Sequence, residues 1–448
     1  MNSTAPAALG DHLDEAAFGK FHLLIAALGM LISVTDGYDL LAMAAVAPVV
    51  SHEWALPASA LGLPLSASLV GVAVGSIFAG IFADRWGRRL ALLVLYGLGA
   101  LATIATMTSA TIGQFVAYRF VTGFGFGGTL PLILALAAEY MPRHLRSFVL
   151  TVMFAGNPLG AALASFAAGP LVAAGGWPAV FAAGGILPLF VLLLLAWKLP
   201  ESIRFLALRE RKEAVVKLLD RIRPNAVLID EPLGLRETGD GRAGVLSLLT
   251  PSELGNTAAL WGVFFCTQLM IFFLASLLPT LFRESGLALA VALQATALYQ
   301  LGGVVGSVAG GWALDRGAPR MVLFGLYGLA IVALAWLSMA IATGIALMGA
   351  AFLVGVGANG AQIALNAYTA SIYPTSVRAV GLGWALGIGR IGAIVSPLIG
   401  AGLLLAGFSP KHMLLALSVP AGLAALGLCL LKREPPRSAA TKPPLPVH

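Results

Sequence analysis

Apolar runs of about twenty residues or more recur from one end of this 448-residue chain to the other, and a soluble core has no place for so many. In hydrocarbon no water meets an unpaired backbone N–H or C=O, so each run must satisfy its backbone internally, as a helix. Read along the chain, the spans fall near residues 22–49, 60–82, 90–109, 113–138, 147–173, 178–198, 256–282, 290–313, 320–342, 345–371, 379–404 and 411–431. The expectation is an all-α membrane protein with twelve transmembrane helices. Charged residues make up 10% of the chain, against roughly 25% in a soluble domain, which argues against a soluble enzyme.

Sidedness follows from where the cations fall. An even number of spans puts both termini on one side, and that side carries 23 of the 27 Lys and Arg residues. Arg283 and Lys411 lie opposite, while Arg119 and Arg390 fall inside spans. Lys and Arg accumulate in cytoplasmic loops, so both termini are expected in the cytoplasm and the chain in the cell inner membrane, as a multi-pass protein. The net charge of +7 is thus a topology signal rather than a basic patch, and no nucleic-acid partner is expected. The first span is expected to stay in the protein, because Asp11, Asp14 and Glu15 precede it and it is too long for a signal-peptide core. Cys266 and Cys429 both lie in spans, and the histidines lie in tails, loops or helix ends. Neither a disulfide framework, a metal centre nor a His-based active site is expected, and no cofactor is called for.

Hydropathy collapses between Pro200 and Leu254 and divides the chain. The expected order is a cytoplasmic tail (1–21), a six-helix bundle (22–198), a cytoplasmic linker (199–255), a second six-helix bundle (256–431) and a disordered tail (432–448). An amphipathic helix is expected over Ser202 to Ile222, where Phe205, Leu206, Leu208, Val215, Leu218, Leu219 and Ile222 return at helical spacing among charges. The bundles are related by repetition. Gly80-Ile-Phe-Ala-Asp84-Arg85 returns as Gly311-Trp-Ala-Leu-Asp315-Arg316, at an offset of 231. Tyr140-Met-Pro142, followed by Arg146, returns as Tyr373-Pro374 followed by Arg378, with the prolines 232 apart. Two motifs that agree within one residue over that distance indicate duplication of a six-span half, a common construction in transporters.

The first copy, completed by Gly87, Arg88 and Arg89, resembles the loop signature of the major facilitator superfamily. Pro200-Glu201-Ser202-Ile-Arg204 is similar to the signature that follows the sixth span in its sugar-porter-like and aromatic-acid branches. The resemblance implies two pseudo-symmetric six-helix bundles that work by alternating access. It gives Asp84, Arg85, Arg88, Arg89, Asp315 and Arg316 gating roles, since an Asp at a helix end can pair with a neighbouring Arg and accept from a helix N-terminus. Glu139, Arg146 and Arg378, at cytoplasmic ends, are expected to form ion pairs between the halves that close the inner gate, although positive-inside placement alone also accounts for the arginines.

Charges inside the spans are where chemistry is expected, because an ionised Asp at mid-bilayer costs roughly 2.5–3.5 kcal/mol or more. Asp36-Gly37-Tyr38-Asp39 puts two carboxylates on one face of the first span. Desolvation and mutual repulsion suit such a pair to carrying a proton, Asp36 first and Asp39 second; the plain alternative is a structural pair satisfied by backbone or Arg. Their Asp-Gly-x-Asp arrangement resembles the first-span motif of the aromatic acid:proton symporters. Arg119 in the fourth span and Arg390 in the eleventh are expected to face a central cavity. A guanidinium stays charged and grips a carboxylate bidentately, so Arg390 is read as a substrate ligand, and Arg119 as the partner of the Asp pair or a second substrate contact. Asn359, Gln362 and Asn366 form one polar stripe on the tenth span, a cavity wall or a set of interhelical hydrogen bonds. Tyr38 joins the substrate candidates. Gly156-Asn157-Pro158-Leu-Gly160 in the fifth span only partly resembles the antiporter signature and is read as helix bending and packing.

The reading that unites these features is proton-driven uptake of a small aromatic carboxylate, benzoate- or hydroxybenzoate-like, by a monomer in the lipid bilayer. The proton gradient supplies the energy. Carriage of another organic acid, drug:proton antiport and a non-transporting membrane sensor are the alternatives.

Overall fold

The computed structural model describes residues 13, 17–222, 248, 250, 254–316, 319–340, 344–373 and 377–431. Most of the N-terminal tail, the later linker and the C-terminal tail lie outside them, as do the side chains of Asp315 and Arg316. The described chain is helical: α1 (Lys20–Glu53), α2 (Gly62–Trp86), α3 (Arg88–Thr106), α4 (Ile112–Gly127), α5 (Thr129–Tyr140), α6 (Arg143–Lys198), α7 (Ile203–Leu208), α8 (Lys212–Ile222), α9 (Leu254–Glu284), α10 (Leu289–Arg316), α11 (Pro319–Met339), α12 (Gly344–Ile372), α13 (Arg378–Leu405), α14 (Pro410–Ala416) and α15 (Ser418–Cys429).

Among the described residues, eleven helical stretches are long and apolar enough to cross a bilayer; α4 with α5, and α14 with α15, each count as one. The stretches expected as fifth and sixth spans run together in α6, which has 56 residues. Straight, it would reach about 84 Å, far beyond a hydrocarbon core of about 30 Å. It is not straight. Gly175 (φ −152°, ψ 22°) and Gly176 (φ 70°, ψ −173°) leave helical geometry, and the positive φ at Gly176 is one that a side chain adopts only with strain.

The repeat read from two motifs extends to atomic contacts. Thr35 and Tyr96 share a hydroxyl hydrogen bond of 2.6 Å, and so do Thr267 and Tyr327. Gly71 leaves no room for a Cβ against the Phe120 carbonyl, nor Gly302 against that of Phe352, so the α2/α4 and α10/α12 crossings are built alike.

Three apolar cores hold the molecule together. One takes residues from both halves, including Val46, Leu61, Phe115 and Phe181 with Phe273, Leu278, Leu293 and Leu334. The opposite ends are separate: Ile32, Leu92, Leu136 and Leu195 pack in one core, Phe264, Leu323, Leu365 and Tyr373 in another. The halves therefore meet at one end and part at the other.

Two local expectations are corrected. The helix over Ser202 to Ile222 is two helices, α7 and α8, parted by a turn in which Glu210 has φ 54°. Its apolar residues Leu206, Val215, Leu218, Leu219 and Ile222 are buried in the first half's own core, while Leu208 is exposed. The Gly80–Arg85 motif lies in the last turns of α2 rather than in a loop, and the connection to α3 is Gly87 alone, at φ 97°.

Candidate transport site

The two aspartates of α1 share a face but not their partners. Asp39 is 3% exposed and Arg119, on α4, is 0% exposed. The guanidinium grips the carboxylate as a fork, Nη1 donating to Oδ1 at 2.9 Å and Nη2 to Oδ2 at 3.0 Å. The Thr103 hydroxyl donates to the same Oδ1 at 2.9 Å, and Nη2 also reaches Ser68 Oγ at 3.2 Å. The Phe181 ring lies 5.6 Å from the guanidinium carbon. A charge pair sealed to this degree tolerates desolvation only because its lone pairs and protons are met on nearly every side. Arg119 does not face a cavity: it is enclosed by the first half. Tyr38 is enclosed too, buried against Gly184 with its hydroxyl donating to the Val180 carbonyl at 3.3 Å.

Asp36 is different. It is half-buried, and its Oδ2 accepts from Asn157 Nδ2 of α6 at 2.8 Å. Across the seam between the halves stands Arg390 of α13, also half-buried, whose Nη1 donates to the Val72 carbonyl and Ser76 Oγ of α2, both at 3.2 Å. No ion pair within 4.0 Å joins Arg390 to Asp36. Among the described residues the ion pairs are Arg119–Asp39 and Arg88–Glu139. Asp36 in the first half and Arg390 in the second are thus each hydrogen-bonded to neutral groups and partly exposed. Beyond Arg390 the seam tightens: Ser66 Oγ donates to the Ile394 carbonyl at 2.8 Å, and Gly62 abuts Ala401.

The polar stripe of α12 lies on one face, as its spacing requires. Gln362 Nε2 donates to Asn366 Oδ1 at 2.9 Å, and Gln362 Oε1 is buried without a hydrogen bond. Asn359 covers Gly303 of α10, with its amide 3.4 Å from the Gly355 carbonyl.

At the other end of the first half, Glu139 pairs with Arg88 and accepts from Ser202 Oγ at 2.6 Å. Glu201 Oε1 accepts from the backbone N–H of Arg89 at 3.0 Å and of Ser202 at 2.8 Å, and Tyr140 donates to the Glu201 carbonyl. Arg89 donates to the Ala196 carbonyl at 2.6 Å, and the Arg85 carbonyl accepts from Arg209 at 3.1 Å. Glu139 therefore binds within its own half here, not across to the other. Arg146 and Arg378 each donate Nε to a carbonyl five residues back, Met141 at 3.2 Å and Tyr373 at 3.5 Å, another trace of the repeat. Asp84 and Arg378 are exposed.

Asn157 was legible as a packing residue; its role as the clamp on Asp36 was not. A lone amide in mid-span is its signal in the sequence, and the glycines around it pack against α1. Thr103, Ser68, Val72 and Ser76 gave no signal, because a single hydroxyl or carbonyl has no pattern in a sequence.

The fold and the site define a membrane carrier, and the sequence profile of the Major Facilitator Superfamily matches residues 25–287 and 260–446. This chain belongs to the major facilitator superfamily, a family of transporters rather than enzymes. Within it the chain is similar to the 4-hydroxybenzoate transporter PcaK of Pseudomonas aeruginosa, 37% identical over 96% of this chain and 98% of that one. The gallate transporter of Pseudomonas putida is 37% identical over 95% of each chain. The benzoate transport protein of Acinetobacter baylyi is 33% identical, covering 94% of this chain and 91% of its own. Among solved structures, the inward open conformation of the xylose transporter XylE from E. coli superposes with a TM-score of 0.74 at 18% identity, over 93% of this chain and 98% of that one, a likeness of fold.

Proposed function

We propose that this chain is an inner-membrane symporter that carries one small aromatic carboxylate with a proton, by alternating access of two six-helix bundles, as a monomer. The observation that carries this reading is a half-buried Asp36 in the first half and a half-buried Arg390 in the second, both held by neutral groups, with Arg390 anchored on α2 of the first half. Arg390 is a permanent cation shaped for a carboxylate. While Asp36 is ionised it offsets that cation and repels an incoming anion. A proton on Asp36 removes both effects, and the substrate carboxylate then takes its place as the balancing charge. Empty or fully loaded, these groups sum to zero, and with substrate or proton alone they do not. An uncompensated charge is costly in low dielectric, so the halves exchange only when both or neither are bound. The aromatic part of the assignment rests on the relatives above, named for 4-hydroxybenzoate, gallate and benzoate.

The break at Gly175–Gly176 supports a twelfth span, and twelve spans with the cation bias support cytoplasmic termini. On that topology the shared core lies at the outer end and the halves part toward the cytoplasm. Asp39 and Arg119 serve as the fixed strut beside the proton carrier. Arg88, Arg89 and Glu139 brace the first half's inner end, with Arg85 and Arg146 beside them. Asp84 and Arg378, exposed in this state, are left to pair when that end closes, with Asp315 and Arg316 as the second copy's counterparts. Asn359, Gln362 and Asn366 supply polar wall.

The test is accumulation of labelled 4-hydroxybenzoate in proteoliposomes under an imposed pH gradient. Uptake is expected to collapse with a protonophore. No uptake of any aromatic acid refutes the substrate class, and uptake indifferent to the protonophore refutes the coupling.

A further inference from the structure

The repeat places a residue opposite Asp36 that has no role so far. Thr35 and Thr267 make the same hydrogen bond to Tyr96 and Tyr327 on equivalent helices, which fixes the alignment of α1 with α9 to the residue. One position further along stand Asp36 and Gln268. The partner helices correspond as well: Asn157, which clamps Asp36, aligns at the same offset with Gly389, and the Gln268 side chain lies directly over it, its Cγ 2.9 Å from where a Cβ of residue 389 would be. The next residue is Arg390. In the first half an amide holds the polar side chain; in the second the holder is a glycine, and no hydrogen bond to the Gln268 amide is among those the structure shows. Gln268 is half-buried, so its amide is neither satisfied by protein nor free in bulk water.

We propose that Gln268 is a substrate-binding residue, its amide N–H donating to the transported carboxylate beside Arg390. A neutral donor suits that place. Arg390 Nη1 is already engaged by Val72 and Ser76, so a carboxylate on the rest of the guanidinium fork leaves an oxygen lone pair for a second donor. A carboxylate at 268, mirroring Asp36, would repel the anion, whereas glutamine keeps the volume and adds a donor. The inference rests on reading the seam as the transport site.

The test is binding of 4-hydroxybenzoate to the full-length protein in nanodiscs, by thermal shift and calorimetry, with Gln268→Leu and Gln268→Glu. Gln268→Leu is expected to weaken binding about tenfold, as for a lost hydrogen bond to a charged group. Gln268→Glu keeps the shape over Gly389 and adds a titratable group over the residue that precedes Arg390 on α13. Its affinity relative to wild type is expected to be near parity at pH 5 and at least about tenfold lower at pH 8. That profile puts residue 268 within electrostatic reach of the bound carboxylate and can be read even if the Leu variant does not fold; the loss in Gln268→Leu is what separates a donor from a packing residue. Wild-type binding with Gln268→Leu within twofold, or a Gln268→Glu deficit equal at every pH, overturns this inference alone. Wild type that binds no aromatic acid overturns the transport-site reading with it.

Discussion

Two aspartates three residues apart on one helix have acquired opposite environments, and the partners explain how. Asp39 is met by a two-pronged guanidinium and a hydroxyl, inside a wall that excludes water. Taking away one member of such a pair leaves a bare charge in low dielectric, at about 3–5 kcal/mol. Asp39→Ala is therefore expected to lower the melting temperature and the monodisperse yield sharply. Asp36 has one amide partner and an accessible face, so Asp36→Asn should fold and melt like wild type while losing accumulation driven by the pH gradient; retained concentrative uptake would remove Asp36 from coupling. Arg390→Lys keeps the charge but not the fork, and the half-saturation concentration for uptake should rise about tenfold. An unchanged value would take Arg390 out of the site.

The glycines on the helices that carry these residues differ in what they tolerate. Gly80 and Gly87 belong to the same short motif. A Cβ at Gly80 meets nothing within 4 Å, and its backbone is helical, so Gly80→Ala should keep stability or raise it by up to about 1 kcal/mol. At Gly87 the positive φ of 97° strains any side chain, and a Cβ would come 2.5 Å from the Glu201 carboxylate that caps α3. Gly87→Ala is expected to cost about 1–3 kcal/mol, read as a lower melting temperature. Spacing could show that a motif was there but not which glycine was indispensable, because that depends on Glu201, a residue more than a hundred positions away.

At the scale of the molecule, one shared core at one end and two separate cores at the other describe a clamp that pivots. The α2/α13 seam is the closed jaw, with a Cβ at Gly62 falling 2.7 Å from that of Ala401. Disulfides want about 3.5–4.5 Å between Cβ atoms, a small adjustment. The double variant Gly62→Cys with Ala401→Cys is expected to crosslink under oxidation and stop uptake, with recovery on reduction. Full transport with the crosslink formed would mean that the seam need not open.

The sequence by itself determined the apolar stretches and which charges lie inside them. Each is dictated by solvent: hydrocarbon rejects bare backbone and charge wherever they occur, so their positions are visible in one dimension. Which charge pairs with which was decided only in three dimensions. The sealed Asp39–Arg119 strut, the Asn157 clamp and the Arg390 anchor on Val72 and Ser76 join residues 80, 121 and more than 300 positions apart. Such contacts follow from helix crossings, and at a crossing one methyl more or less sets the depth and angle at which two side chains meet.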